Sequence, residues 1–183
     1  MTRARVRWMV GFAAAVAMLG MARLGHAEDN NALVSQANAT LAKFQSVDPG
    51  ISSFMKSAAG YAVFPTITKG GLVVGAAHGN GVLFVNHKPI GRTGVTHASI
   101  GAQAGGQEFS EVIFFETPQA LAQFKSGQFT VSAQASAVAL KEGAAAEARY
   151  QHGVAIFTAT KGGLMLEASV GGQKFSFEPF YGR

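Results

Sequence analysis

The sequence predicts an α+β fold in which two N-terminal helices precede a strongly curved, barrel-like antiparallel sheet with one inserted helix. Apolar residues recur at helical spacing before residue 60 and in one later segment. From Tyr61 onward, short apolar or alternating runs are separated by glycine, and turns join them instead of the crossover helices that a parallel sheet needs. Glycines inside such runs suit the bulges and bends of a coiled sheet.

The first 27 residues are typical of a secretory signal peptide. Three arginines within the first seven residues precede an apolar run over Trp8–Ala22, and Gly25–Ala27 supplies small residues for cleavage. The run is shorter than the about 20 residues that span a bilayer, although an uncleaved anchor is the alternative. We therefore expect cleavage after Ala27, export to the periplasm or cell envelope, and a single domain over residues 28–183.

Charge and cysteine content exclude several classes of protein. The chain has 15 basic and 10 acidic residues, but four of the basic residues and none of the acidic ones precede residue 28. The remainder is nearly neutral and has no basic stripe, so a nucleic-acid partner is not expected. With no cysteine, the chain can form no disulfide, thiolate metal site or cysteine nucleophile.

Three helices follow from capping and spacing. The first has its apolar stripe between Leu33 and Phe44. Asp48-Pro49 predicts the cap and first turn of a second helix that ends at Gly60. Thr117-Pro118 predicts the start of the inserted helix, which Gly127 ends.

The predicted strands are short and separated by turns. Asn80-Gly81 is the strongest hairpin signal, because both central residues of a type I′ turn need positive φ. Phe129–Leu140 alternates but could be helical, and Lys141–Tyr150 is predicted as a connection. The strands are predicted at Tyr61–Phe64, Gly71–Ala77, Val82–Asn86, Val95–Ala104, Glu108–Phe115, Val154–Thr158, Leu164–Val170 and Gln173–Phe177.

An internal repeat contains the main candidate site. Ala62–Leu72 recurs as Ala155–Leu164, one residue shorter at Pro65, and both copies contain Thr-Lys-Gly-Gly-Leu. We interpret them as equivalent hairpins with Lys-Gly-Gly at or near the turn. One hypothesis is an anion-binding concavity of glycine N–H groups beside a lysine. The other is a solvated lysine in a turn where glycine supplies the required φ.

The candidate lipid- or anion-binding residues include a few further cations. Lys88 and Arg92 flank a predicted turn at Pro89–Gly91, and they could form a patch with the repeat lysines. The full set is Lys69, Gly70, Gly71, Lys161, Gly162, Gly163, Lys88, Arg92 and Lys174.

No catalytic constellation stands out. Ser99 lacks the first glycine of G-x-S-x-G and lies within a predicted strand, and nothing in the spacing supports a triad with Glu108 or Glu111 and His152. The histidines lack metal-ligand spacing, and no phosphate-binding loop opens a helix. We therefore expect no enzymatic activity, no metal and no cofactor.

Several motifs in register resemble the SYLF family of lipid-binding domains over about residues 32–177. These are Val63-Phe64-Pro65, Thr68-Lys69-Gly70-Gly71, Ala98–Gln107 and Lys161–Met165. The resemblance implies a non-enzymatic module that binds phosphoinositides or other anionic lipids. Some eukaryotic members bundle actin, which an exported protein would not meet in its own compartment. Eukaryotic lipid binding is attributed to a basic amphipathic N-terminal helix, whereas residues 31–44 here carry only Lys43 as a base.

These observations predict an exported, non-enzymatic protein that recognises phosphoinositide-like or other anionic lipid head groups at a membrane surface. One alternative is a structural or protein-interaction module of the cell envelope without a lipid ligand. In that case an exposed, aromatic tail would dock a protein partner; its members are Phe175, Phe177, Phe180 and Tyr181. A hydrolase that uses Ser99 is the remote alternative.

Overall fold

Two helices lead into the sheet, as the apolar periodicity predicts. A computed structural model of the chain describes residues 28–70, 74–100, 107–131, 137–160 and 172–180. Helix α1 occupies residues 28–47 and helix α2 spans Ile51–Ser57. Leu41, Phe44 and Ile51 are buried, so each helix packs its apolar stripe against the rest of the domain.

Asp48 does not cap the second helix in the predicted way. The N-cap of α2 is Gly50, which makes no side-chain capping bond. The buried Asp48 carboxylate instead accepts hydrogen bonds from the N–H of Gly50 at 2.9 Å and of Ala145 at 2.6 Å. Ala145 belongs to the first turn of helix α4, Ala144–Glu147, so Asp48 caps a helix 97 residues away.

The sheet has seven strands in the order β5-β6-β4-β1-β2-β3-β7. All neighbours are antiparallel except β5 and β6, which are parallel. The α+β class is therefore confirmed, but the sheet is open, with β5 and β7 at its edges, so the barrel-like, strongly curved form is not. The strands are β1 Gly60–Gly70, β2 Val74–Val85, β3 Lys88–Ile100, β4 Gln107–Phe115, β5 Val138–Ala139, β6 Val154–Thr160 and β7 Lys174–Pro179.

Several predicted turns lie inside long strands. Asn80-Gly81 is in the middle of β2, so the hairpin predicted there is wrong. A Cβ at Gly81 would clash with the carbonyl oxygen of Val63 and lie 2.7 Å from the ring of Phe64, so this glycine allows a neighbouring strand to approach closely. The actual turn is at Asn86 and His87, whose φ values of 50° and 62° suit a two-residue hairpin loop.

The proposed turn at Pro89–Gly91 is also wrong, because these residues belong to β3. The predicted strand at Leu164–Val170 lies outside the described residues. Of the alternating segment Phe129–Leu140, Phe129 and Val131 are buried and Val138 and Ala139 form β5.

A β-bulge at Pro65 inserts one extra residue into the central strand β1 relative to both of its neighbours. The register of β1 shifts between Val63 and Thr66 against β2, and between Phe64 and Ile67 against β4. The Ser110 hydroxyl donates a 2.8 Å hydrogen bond to the Pro65 carbonyl. Proline cannot donate to a strand ladder, so a bulge is where a central strand tolerates it. The one-residue difference between the two repeat copies falls at this position.

Both faces of the sheet are packed, and we name each after a helix that covers it. On the α1 face, residues of the sheet pack against α1, α2 and α4; the main ones are Tyr61, Val63, Val82, Phe84, Val112, Phe114 and Phe157. The α3 face is covered by α3, Pro118–Lys125, which Thr117 caps as predicted. Its main buried residues are Phe64, Ile67, Leu83, Phe109, Ile113, Phe115, Phe124, Phe129 and Phe175.

Candidate functional site

The first Lys-Gly-Gly segment begins inside β1, which ends at Gly70, and the second follows β6, which ends at Thr160 at the same end of the sheet. Strands β1 and β6 are both antiparallel neighbours of β4, so they run parallel to each other. Phe109 of β4 pairs with Ile67 on one side and with Thr160 on the other. Two strands apart corresponds to about 10 Å. Gly71, Lys161, Gly162 and Gly163 themselves lie outside the described residues.

Gly70 is not explained by the turn hypothesis. It is the last residue of β1 and pairs with Ala76, and it is not among the glycines that have positive φ. A Cβ at Gly70 would meet no atom within 4 Å. Gly79 differs, since a Cβ there would lie 2.6 Å from the carbonyl oxygen of Thr66. Neither backbone conformation nor packing within the described residues therefore requires glycine at position 70.

Lys69 lies next to this open position, on the α3 side of the sheet. It pairs with Ala77 of β2 and Gln107 of β4, and Ala77 belongs to the buried cluster of that face. The residue is half-buried, which suits a lysine whose aliphatic stem lies on apolar surface while its ammonium group reaches water. Lys69 is therefore held beside Gly70 at the end of the sheet.

The other predicted cations do not form one patch with Lys69. Lys174 begins β7 at the same end of the sheet, but it is three strands from Lys69, about 14 Å, and it pairs with Thr96 on the α1 side. Lys88 follows the turn at the opposite end, about 27 Å away along β2. Arg92 lies midway along β3, opposite Glu178.

A polar row crosses the α1 side of the sheet near the end that carries the Lys-Gly-Gly segments. Its five members pair across five adjacent strands, and they are Glu108, Thr68, His78, Thr96 and Lys174. All but the half-buried Thr68 are exposed. Except for Lys174, sequence reasoning did not include these residues in the site. Their polar alternation within β-strands was the available signal, but only the strand register shows that they lie in one row.

The hydrolase residues are far apart. Ser99 pairs with Gly75 near the end of β3, whereas His152 precedes β6 at the opposite end of the sheet. Glu108 is exposed, and Glu111 is fully buried on the other face. No group of three or more His, Asp or Glu side chains suited to a metal ion occurs in the described part of the chain.

The aromatic tail is packed and not exposed. Phe175 is buried in the α3-face cluster, and Phe177 packs partly against it. Phe180 packs partly against the α1-face cluster, and Tyr181 lies outside the described residues. The tail therefore contributes to folding, and the expectation that it is exposed is wrong for its described members.

A shallow groove runs between α3 and β7. Its lining includes Leu121, Phe177, Pro118 and Pro179. The Lys125 ammonium, which also lines the groove, lies 5.6 Å from the Phe177 ring centroid. Among the helices described, none has the length and apolar character needed to cross a membrane.

Comparison with known proteins gives two similarities. Residues 96–179 match the family described as Ysc84: Las17-binding protein actin regulator, which is the SYLF domain. The chain is also 30% identical over 146 residues to a protein named beta cell expansion factor A from Aeromonas veronii. The match covers 79% of this chain and 55% of that protein, so the chain spans about half the length of this relative.

Proposed function

Residues 96–179 match the Ysc84 (SYLF) family, and from this similarity we propose that the protein binds anionic lipid head groups, including phosphoinositide-like ones, at one end of its sheet. The family is generally one of binding domains and not of known enzymes. The proposed ligand-binding groups are the lysines and glycine N–H groups of the two Lys-Gly-Gly segments.

The observation that carries this proposal is the open space around Gly70. Glycine is used where a backbone must adopt positive φ, where another chain segment lies too close for a side chain, or where a ligand approaches the backbone. The first two explanations do not apply to Gly70 among the described residues. A head group that approaches the backbone is the explanation that remains.

The topology supports a shared site for both segments. Because β1 and β6 flank β4 and run in the same direction, Ile67 and Thr160, which pair with Phe109 on its two sides, lie about 10 Å apart near this end of the sheet. Backbone N–H groups that converge near a lysine bind phosphate well, because the donors are fixed and the cation adds charge-assisted hydrogen bonds. A head group with several oxygens could therefore contact both segments.

Net charge alone would not produce this binding. The chain without its first 27 residues has 11 basic and 10 acidic residues, so it has little long-range attraction to an anionic surface. Glu108, an exposed carboxylate, also lies at this end of the sheet. Binding must therefore depend on a few local contacts, and it should weaken steeply with salt.

Vesicle co-sedimentation tests the proposal. The protein should sediment with phosphatidylcholine vesicles that contain phosphatidylglycerol or a phosphoinositide at low salt, and not with phosphatidylcholine alone. The double variant Lys69→Ala/Lys161→Ala should bind at least about a hundredfold more weakly, because it removes two charge-assisted contacts, each worth about 1.5–3 kcal/mol. Equal sedimentation with neutral and anionic vesicles would contradict the proposal.

Lys88→Ala is the matched control for charge. Lys88 is an exposed lysine at the opposite end of the sheet, so its removal should leave vesicle binding nearly unchanged. If Lys88→Ala weakened binding as much as the loss of Lys69, bulk charge and not the proposed site would explain the binding.

We also propose that the protein acts outside the cytoplasm, in the periplasm or cell envelope, after cleavage following Ala27. N-terminal sequencing of protein from its native host should begin at Glu28. A chain that keeps its first residues would favour the membrane-anchored alternative.

A further inference from the structure

A carboxyl group is fully buried on the α3 face. Glu111 of β4 has no exposed surface, and Gln173, just before β7, is 1% exposed. The Gln173 side-chain amide donates a 3.0 Å hydrogen bond to Oε2 of Glu111. Strands β1, β2 and β3 lie between β4 and β7 in the sheet. This hydrogen bond therefore connects β4 to the segment before β7 across the α3 face.

Two buried oxygen atoms of the Glu111–Gln173 pair receive no hydrogen bond. Oε1 of Glu111 and Oε1 of Gln173 have no partner, although both atoms are buried. Two other buried hydroxyl groups are satisfied: the Thr93 hydroxyl donates to the Ser176 carbonyl, and Ser110 donates to Pro65. In the described residues, the Tyr150 hydroxyl is the other buried polar side-chain atom without a partner. Two neighbouring buried acceptors without a donor are costly, because each has lost its water without a replacement.

Charged groups do not compensate the carboxyl. Glu111 faces Phe64 of β1 and Thr158 of β6 across the strands, and the other large side chains of this face are aromatic. On the same face, the pair of Lys69 with Gln107 lies two cross-strand rows from the pair of Glu111 with Phe64. His97 of β3 pairs with Ala77 on this face and has its ring beside Gly172, and Lys125 of α3 lies over the Phe177 ring. Glu108 and Lys174 lie on the other side of the sheet. Burial raises the pKa of Glu111 to about 7, and the Gln173 hydrogen bond lowers it by a smaller amount.

A proton satisfies this arrangement better than a metal ion. Hard cations take about six or more oxygen ligands, whereas only two unpartnered oxygens are present in this pair. A protonated carboxyl, in contrast, is a donor. An O–H on Oε1 of Glu111 can bond to Oε1 of Gln173 while the Gln173 amide bonds to Oε2, which closes a ring of two hydrogen bonds.

We propose that Glu111 and Gln173 form a buried proton-binding site in which the neutral carboxyl and the amide share two hydrogen bonds, and that loss of the proton loosens the segment before β7. The proposal does not depend on lipid binding. When the proton leaves to water, Oε1 of Glu111 and Oε1 of Gln173 again face each other as acceptors. Gln173 is the anchor of this segment, since its carbonyl accepts from the Val131 N–H, and the N–H of Gly172 donates to the Val131 carbonyl.

The sign of the pH dependence follows from the two states. The usual pKa of the carboxyl is 4.5, and in the folded protein it is about 7. The folded state therefore holds the proton more tightly, so this stabilisation is complete below pH 4.5 and is lost as the pH rises to about 7. Between pH 4.5 and about 7, the unfolding equilibrium constant should rise by up to about tenfold per pH unit. Above about pH 7 the constant should level off.

Denaturant unfolding between pH 5 and 8 tests this with the full chain and its Glu111→Gln variant. Glutamine mimics the neutral acid, so the variant should lack this share of the pH dependence, while its stability at pH 5 stays near that of the wild type. Glu108→Gln is the matched control, because Glu108 is an exposed residue on the same strand. It should keep the wild-type pH dependence. A Glu111→Gln variant with the wild-type pH dependence would overturn the proposal.

Infrared spectroscopy and hydrogen exchange give readouts that do not depend on that variant's stability. At pH 6 the wild type should show the C=O band of a protonated buried carboxyl, and the band should disappear with a midpoint near pH 7. Gln173→Leu should move this midpoint, because Gln173 bonds to both oxygens of the neutral carboxyl but to only one oxygen of the ionised carboxyl. Above the midpoint, exchange at Gly172 and Val131 should exceed the intrinsic increase with pH. No band at pH 6, or an unmoved midpoint in Gln173→Leu, would contradict the shared proton.

Discussion

The two faces of the sheet both bury aromatic rings, but different parts of the chain provide the cover. On the α1 face, the ring of Phe114 packs against the rings of Phe54 of α2 and Phe157 of β6, with centroid-to-centroid distances of 5.5 and 5.8 Å. On the α3 face, one eight-residue helix covers the strands, and Phe175 contributes a ring from the sheet itself. In the described residues, the α3 face holds a buried carboxyl bonded to a side-chain amide, Glu111 with Gln173. The α1 face buries the Tyr61 ring, whose pKa burial also raises, and the Asp48 carboxylate, which bonds to backbone N–H groups. The two faces thus bury different titratable groups with different partners.

The largest expected effect tests whether the two faces are equally important for stability. Phe114→Ala on the α1 face and Phe124→Ala on the α3 face should each lower the free energy of unfolding by about 3–5 kcal/mol, because both rings are fully buried. Urea unfolding at pH 5 measures the change where Glu111 is mostly protonated. A loss below about 1 kcal/mol for either variant would show that its face is not a packed core.

The next prediction separates glycines required by packing from a glycine left free for a ligand. Gly81→Ala should destabilise the protein by about 1–3 kcal/mol, because the new methyl group would clash with Val63 and Phe64. Gly70→Ala meets open space, so its stability should change by less than about 0.5 kcal/mol.

Vesicle binding by the same two variants completes this comparison. Gly70→Ala should weaken binding to anionic vesicles although the fold is intact, because the methyl group would obstruct a head group at the backbone. Folded Gly81→Ala protein should bind normally. The opposite pattern would remove Gly70 from the proposed site.

Local signals predicted local structure well in this chain. Helical spacing located α1 and α2, and Thr117-Pro118 located the start of α3. Asn80-Gly81 was misleading, because glycine meets two different needs, positive φ and close approach, and only the neighbouring strand shows which one applies. The hairpin turn formed at Asn86 and His87, which lack glycine.

Contacts between distant residues could not be predicted in the same way. Asp48 bonds to a residue 97 positions away, and Glu111 to one 62 positions away. Neither pair has a spacing that a sequence pattern reveals, since both depend on the order of strands in the sheet. The candidate site could be predicted in part. The repeat in the sequence identified Lys69 and Gly70, but only the order of the strands shows that the strands of both copies end at the same end of the sheet.

Asp48 provides a test confined to the α1 side. Asp48→Ala removes the acceptor of two N–H groups, so the N–H of Ala145 loses its partner at the start of α4. We expect a loss of about 2 kcal/mol at neutral pH, measured by urea unfolding. Asp48→Asn keeps one acceptor oxygen and should lose less. Equal losses in the two variants would mean that charge, and not the hydrogen bonds, determines the contribution of Asp48.

The smallest expected loss from a lost hydrogen bond concerns the helix on the α3 face. The Thr117 hydroxyl accepts a 3.2 Å hydrogen bond from the N–H of Ala120, which satisfies one free donor at the start of α3. Thr117→Ala should cost about 1 kcal/mol, whereas Thr117→Ser keeps the cap and should cost a few tenths at most. Because Phe124 and the Glu111–Gln173 pair lie on the face that α3 covers, a frayed α3 should also speed hydrogen exchange at Gly172. Normal exchange there in Thr117→Ala would show that the carboxyl–amide pair holds its segment without help from the helix.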